Sequence, residues 1–143
     1  MLLIGTHFHS MDDKGRFRLP PKFKGAMGDS FVLTKGIDGC VYAFSIEDFK
    51  AHFADKLRDQ SVVDKELLRS LRQLFQHAYE AENDNQGRVS LPSVLQEHAG
   101  ITKEIAIVGM VGHVEIWDRK RLEKYNEGED FDAAVSALKE YKI

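Results

Sequence analysis

The chain has 143 residues, of which 43% are hydrophobic and 30% charged, with a formal net charge of −3 and one cysteine, Cys40. No apolar run approaches the ~20 residues of a membrane span, and one cysteine excludes an intrachain disulfide or a cysteine zinc cluster. The length allows one or two small domains; Met1-Leu2-Leu3-Ile4 is too short for a signal-peptide core and lacks a basic flank, so a cytoplasmic protein is expected.

The first element in chain order is a strand around His7-Phe8-His9, which enters a turn at Asp12-Asp13-Lys14-Gly15-Arg16. Phe17 and Leu19 alternate with Arg18, a short period-two signal. Pro20-Pro21 ends that strand and starts a short helix over Lys22–Met27, because proline is tolerated in a first helical turn; Gly28 caps its C-terminus. Phe31–Thr34 and Cys40–Phe44 read as a hairpin joined by Gly36–Gly39. Ser45 is suited to cap a helix whose apolar stripe is Ile46, Phe49, Phe53 and Leu57. Asp64 caps the next, which carries Leu67, Leu68, Leu71, Leu74, Phe75 and Ala78 on one face. That face either covers the core or meets another subunit.

From Tyr79 the pattern restarts. It predicts a strand into Asp84, a Gly87-Arg88 turn, a short helix over Val94–Ala99, a hairpin from Glu104 to Trp117, and a helix capped by Asp118 that runs to Tyr125. Glu127–Asp130 is a break, and Phe131, Val135 and Leu138 place a last amphipathic helix at the end. The restart is a repeat at residue level. Asp12-Asp13-Lys14-Gly15-Arg16-Phe17-Arg18-Leu19-Pro20 returns as Asp84-Asn85-Gln86-Gly87-Arg88-Val89-Ser90-Leu91-Pro92, 72 positions later. Val41-Tyr42-Ala43-Phe44 returns as Val114-Glu115-Ile116-Trp117 at an offset of 73, a slippage that marks a one-residue loop insertion. Each half is too small to bury a stable core alone. Two interleaved halves closing one barrel would leave no exposed strand edge. The expected organisation is a domain at 5–48, a helical connector at 49–76, a second domain at 77–120 and a terminal helical segment at 121–143.

Charge is unevenly placed. Residues 78–143 carry eight Lys/Arg against thirteen Asp/Glu, whereas Lys14, Arg16, Arg18, Lys22 and Lys24 fall within eleven positions free of acids. The total charge disfavours a nucleic-acid partner, but binding responds to the local field, which favours one.

The Asp12–Arg16 corner has two compatible readings. As architecture, Gly15 supplies a positive φ, and Asp12 bonds nearby amides and pairs with Arg16. As chemistry, the turn presents Lys14, Arg16 and Arg18 to phosphates or base edges, for which the planar guanidinium fork is suited. The second copy keeps Asp84, Gly87, Arg88, Leu91 and Pro92 but has Gln86 and Ser90 where the first has Lys14 and Arg18. What persists is architectural; what differs grades the contact.

Other clusters are weaker. His7 and His9 share a strand face but lack further ligands for a metal. Ser10 has no Gly-x-Ser-x-Gly elbow, and Gly36–Gly39 lacks the pattern and following helix of a phosphate loop. Glu66, Glu80 and Glu82 read as solvated faces. No enzyme, cofactor, metal or small-molecule substrate is expected.

The paired Asp-x-(Lys/Gln)-Gly-Arg-x-x-Leu-Pro segments, Leu33-Thr34-Lys35-Gly36-Ile37-Asp38-Gly39-Cys40 and Val114-Glu115-Ile116-Trp117 together resemble the MraZ family, from about Met1 to Tyr125. These are bacterial transcriptional regulators built from two SpoVT-AbrB domains. The resemblance implies an α+β, mainly β fold: a pseudo-dimeric, swapped-hairpin, double-ψ type β-barrel with flanking helices. It implies a ring-shaped homo-oligomer, commonly an octamer, in the cytoplasm and associated with the nucleoid. The ring would bind double-stranded DNA at promoter direct repeats ahead of the division and cell-wall gene cluster. The family signature falls on Asp12 with Arg16 and on Asp84 with Arg88. DNA contact is assigned to Lys14, Arg16, Arg18, Lys22, Lys24 and Arg88, and loop structuring to Asp12, Gly15, Asp84 and Gly87. A rival reading is an antitoxin-type interaction module that holds a partner with its acidic C-terminal tail.

Overall fold

The halves of this chain trade strands. A computed structural model describes residues 2–58 and 64–143; residues 59–63 of the expected connector, and Met1, lie outside the described residues. The first half gives β1 (Leu3–Ser10), β2 (Arg16–Phe17), α1 (Pro21–Met27), β3 (Ser30–Lys35), β4 (Val41–Ser45) and α2 (Ile46–Arg58). After α3 (Lys65–Phe75) the second half gives β5 (Tyr79–Glu82), β6 (Val89–Ser90), α4 (Ser93–Ala99), β7 (Glu104–Val111), β8 (Val114–Asp118) and α5 (Arg119–Tyr125), followed by α6 (Phe131–Glu140).

Six strands form one antiparallel sheet in the order β1-β7-β8-β4-β3-β5. Each half's hairpin therefore takes its outer neighbour from the other half: β1 pairs with β7 from Leu3↔Val111 to Ser10↔Glu104, and β5 pairs with β3 from Leu33↔Tyr79 to Ser30↔Glu82. The hairpins meet through β4 and β8, with Tyr42 opposite Glu115. These two positions are equivalent in the repeat, so a pseudo-twofold axis runs between them.

Among the described residues the ladder does not close into the expected barrel. Among the described residues β1 and β5 are the outer strands of the sheet, and β2 pairs with β6 in a separate two-stranded ribbon. The reason is local. Past Ser10 and Glu82 the chain turns at Asp12 and Asp84, and Pro20 and Pro92, which lack the N–H a ladder needs, stop each ribbon strand within a few residues. Strands of two residues are too short to bridge β1 to β5.

Period-two alternation decides the core. Phe31, Leu33, Val41, Ala43, Ile105, Ile107, Val114 and Ile116 point to the sheet face covered by α1, α4 and the ribbon, and all are essentially inaccessible. Phe23 of α1, Leu95 of α4, and Phe17 and Val89 of the ribbon complete the same cluster. Burying side chains of this size contributes about 1.5–3 kcal/mol each, and both halves draw on one core. On the opposite face Cys40, Ala106 and Trp117 form a smaller cluster with Leu122 of α5. Phe49 and Phe53 of α2 lie 6.1 and 5.1 Å from Phe75 of α3, and Phe49 lies 5.8 Å from Phe44.

Helix ends follow sequence chemistry. The Ser45 hydroxyl accepts the Asp48 N–H at 3.1 Å, Asp64 accepts the Leu67 N–H at 3.0 Å, Asp118 that of Arg121 at 3.1 Å and Asp130 that of Ala133 at 2.8 Å. Each satisfies a backbone donor that the first turn leaves without a partner.

Candidate nucleic-acid interface

The two Gly-Arg corners are built alike, bond for bond. In the first, the Asp12 carboxylate accepts the Lys14 N–H and the Arg16 N–H, both at 2.9 Å, and Arg16 Nε at 2.6 Å. In the second, Asp84 accepts the Gln86 and Arg88 N–H groups at 2.9 and 2.8 Å and Arg88 Nε at 2.8 Å. The backbone closes the same way in both: Asp12 N–H to Arg16 O and Asp84 N–H to Arg88 O, each 2.8 Å. The turns need φ of +73° at Gly15 and +76° at Gly87, a left-handed conformation that favours glycine.

Close approach adds a second reason for glycine. A Cβ on Gly15 would lie 2.7 Å from Gln96 Nε2, and one on Gly87 would lie 3.2 Å from Lys24 Nζ. Lys24 and Gln96 are equivalent positions of α1 and α4, so each corner is backed by the short helix of the other half. Gln96 Nε2 donates to Leu91 O at 2.7 Å. Lys24, expected as a DNA contact, is half-buried with its ammonium against the second corner; Lys22 is exposed.

The ribbon brings the corners together. Arg16 pairs with Ser90 and Phe17 with Val89, the Leu91 N–H donates to Gly15 O at 2.9 Å, and Arg18 Nε donates to Gln86 O at 3.2 Å. A hollow of about 90 Å³ is lined by the guanidinium-bearing Arg16, Arg18 and Arg88 together with Asp12, His9 and Ser10. Its pseudo-symmetric counterpart, about 380 Å³, carries Glu80, Glu82 and Asp84 with only Arg88 as a cation. Each guanidinium braced by an aspartate uses its Nε for that brace. Among the described residues no protein acceptor takes the Nη atoms of Arg16 or Arg88, and those side chains are 23% and 25% exposed. Lys14 and Arg18 are exposed outright.

The carboxylates are tuned by the brace. At Asp84 the Arg88 N–H, with further help from the Arg88 side chain and the Gln86 N–H, outweighs desolvation and lowers the pKa from 3.8 to about 2. At Asp12 desolvation pulls upward, but the Arg16 N–H, the Arg16 guanidinium and the Lys14 N–H hold the group below its ordinary value. Both are carboxylates at neutral pH, so each corner carries a fixed negative charge beneath its cation.

The chain matches the family described as "MraZ protein, putative antitoxin-like" over residues 2–70 and 74–140. The chain belongs to the MraZ family. Among its relatives, the transcriptional regulator MraZ of Acetivibrio thermocellus is 38% identical over 138 residues, covering 96% of each chain. That of Clostridium beijerinckii is 36% identical over 99% of this chain and all of its own, and that of Thermoanaerobacter pseudethanolicus 38% identical with the same coverage.

Of the remaining predicted polar residues, His9 and Ser10 line the hollow and His7 lies outside it. His7 packs edge-on against Phe23, ring centroids 5.1 Å apart. His9 is half-buried, and burial together with its neighbour His7 lowers its pKa. Ser10 holds Glu104 through its hydroxyl at 3.0 Å. Among the described residues no three His, Cys, Asp or Glu gather as a metal site, and no helix is long and apolar enough to cross a membrane. Burial raises the Cys40 thiol to about 12. Sequence reasoning missed Arg121, whose Nη1 donates to Gly39 O at 3.2 Å and His98 O at 3.1 Å, tying the first hairpin to the second half. Its repeat equivalent is Asp48, so no echo pointed to it.

Proposed function

We propose that this MraZ-family chain is a sequence-specific DNA-binding transcriptional regulator. It recognises promoter direct repeats ahead of the division and cell-wall gene cluster, acting as a ring-shaped oligomer, an octamer in the simplest case, on the nucleoid in the cytoplasm. The observation that carries the reading is the cationic corner: Lys14 and Arg18 exposed on a braced turn, with the Nη edges of Arg16 and Arg88 left over beside them. Guanidinium forks held in place by a carboxylate are preorganised for phosphate oxygens or for guanine O6 and N7, and lose less entropy on binding than free side chains. The reading makes domains 5–48 and 77–120 a single reading head, since their corners share one ribbon, with Lys14, Arg18 and Lys22 as phosphate contacts and Arg16 as the best base contact. One head is a small footprint; a ring sets several in register, so weak contacts add through avidity. The names of the relatives and the family resemblance support the same class.

The test is a gel shift of the full chain on its own upstream region at two salt concentrations. Affinity should fall steeply with salt, and Arg16→Ala should abolish the specific shift while the oligomer stays intact. An Arg16→Ala protein that shifts the DNA like wild type removes the corner from the interface. The antitoxin-type reading keeps one observation in its favour, a terminal helix with no buried residue.

A further inference from the structure

The helices that follow the two hairpins, α2 and α5, are equivalent in the repeat but are fastened by different chemistry. At the offset of 73, Cys40, Phe44 and His52 correspond to His113, Trp117 and Tyr125. α5 of the second half is tied to the turn of the first hairpin by permanent contacts. Arg121 donates to Gly39 O and His98 O, Trp117 and Tyr125 have ring centroids 5.3 Å apart, and Cys40 Sγ donates to Ile37 O at 3.3 Å. Burial pushes the Cys40 thiol up to about 12, and hydrogen bonding to the Asp38 carboxylate raises the Tyr125 phenol above its ordinary 10. The His98 ring lies 3.0 Å from Gly36 O, a contact that an imidazolium keeps as donor. Acid therefore leaves this side fastened.

On the other side the same places hold two histidines. His113 of the second hairpin stacks on Phe44 of β4, ring centroids 5.1 Å apart and planes 24° apart, and meets Tyr42 edge-on at 4.6 Å. His52 of α2 lies against the same Phe44 ring at 6.1 Å. Where α5 has Arg121, α2 has Asp48, a carboxylate that cannot donate to the turn's carbonyls. His113 Nε2 is buried and, among the described residues, has no hydrogen-bond partner. The imidazolium carries an N–H on both ring nitrogens, so protonation would leave a buried donor unpaired. The groups facing His113 are Tyr42 and Phe44 from β4, Glu115 from β8 and His52 from α2, with Asp48 one turn before His52. Burial holds the His113 pKa below 6.5 and His52 adds to that; Glu115 pulls upward and is outweighed, its carboxylate also accepting Trp117 Nε1 at 3.0 Å.

We propose that His113 and His52 form a proton-sensitive latch: with His113 neutral α2 lies closed on the sheet, and protonation of His113 loosens α2 while α5 stays closed. Once α2 opens and water reaches the ring, His113 takes a proton more readily than in the closed state. Closure is thus favoured fully above the ordinary histidine value of 6.5 and lost progressively as pH falls below it. The Asp12 and Asp84 carboxylates titrate below their ordinary 3.8, so both corners keep their braces through that window. Neither DNA nor a second copy enters the device.

Amide hydrogen exchange of the full chain, read by mass spectrometry at about pH 7.5 and about pH 5, on either side of the ordinary histidine value, and corrected for intrinsic exchange rates, tests the latch. Protection of α2 should fall severalfold at the lower pH while α5 keeps its protection. His113→Cys with His52→Tyr gives this side the residues of the other, and should leave α2 equally protected at both pH values. His113→Phe, which keeps a ring on Phe44 and has no proton to gain, carries the same expectation and stands in if the double variant does not fold. His52→Gln, at an exposed position, removes the repulsion and should make the fall smaller. Unchanged α2 protection in the wild type overturns the proposal, as does a parallel loss in α2 and α5. A fall as large as the wild type's in the double variant or in His113→Phe overturns it too.

Discussion

The two Gly-Arg corners share one scaffold and differ in the charge laid on it. Both have an aspartate that accepts two backbone N–H groups and one guanidinium Nε, a left-handed glycine, and a backing side chain from the other half's helix. Around the first stand Lys14, Arg18 and the non-acidic end of β1; around the second stand Gln86, Ser90, Glu80 and Glu82. Repetition preserved the mechanics of the turn, and divergence at a few exposed positions, which cost the fold almost nothing, set its electrostatics. The second corner contributes Arg88 to the hollow of the first and supports Arg18 through Gln86 O, so it acts as a buttress.

Exchanging the differing residues tests that contrast most strongly. Lys14→Gln with Arg18→Ser gives the first corner the second's chemistry while leaving the Asp12 brace in place. It should weaken promoter binding by about a hundredfold, two charged contacts being lost, and reduce the slope of log affinity against log salt by roughly 2. Gln86→Lys with Ser90→Arg should strengthen binding. Filter binding across a salt series measures both, and equal affinities for the two exchanges would erase the distinction between corners.

The glycines come next. Gly15→Ala and Gly87→Ala each force a Cβ into the left-handed region, at about 1–2 kcal/mol. Gly15→Ala should be the worse, because the new Cβ would lie 2.7 Å from Gln96 Nε2 and displace it from Leu91 O, whereas the approach to Lys24 Nζ is less close, at 3.2 Å. Urea unfolding of the two variants gives the order, and a milder Gly15→Ala would mean that Gln96 does not secure that corner.

The smallest effect is in acid. Because the pKa of Asp84 is lowered on folding, its stabilising contribution is complete above the ordinary value of 3.8 and is lost as pH falls toward about 2. Asp12 shifts in the same direction. Asp84→Ala should therefore lower the melting temperature at pH 7 and lose that deficit relative to wild type near pH 2. A deficit that does not change with pH would assign the aspartate a purely steric role.

Much of the fold was legible in the residues because it is locally encoded. Caps at Ser45, Asp64 and Asp118, the helix begun by Pro21, the break before Phe131 and the left-handed corners each depend on groups within four positions. The extent of β1 was not legible. Leu3–Thr6 become strand because Val108–Val111 extends to meet them, and Leu3 approaches so near that a Cβ on Gly109 would sit 2.4 Å from its carbonyl carbon. The partnership of Lys24 with Gly87 and of Gln96 with Gly15 was equally hidden, since it joins residues more than 60 positions apart.

From residues alone came the duplication, the aspartate-braced turns and the concentration of cations on the first of them, because turn geometry and formal charge are short-range properties. Which half supplies the neighbour of each hairpin is a choice between repeat-equivalent strands, and it is made by contacts far apart in the chain rather than by a local pattern. Packing both halves around one core made that choice, left the sheet open at β1 and β5, and set two distant corners on a single ribbon.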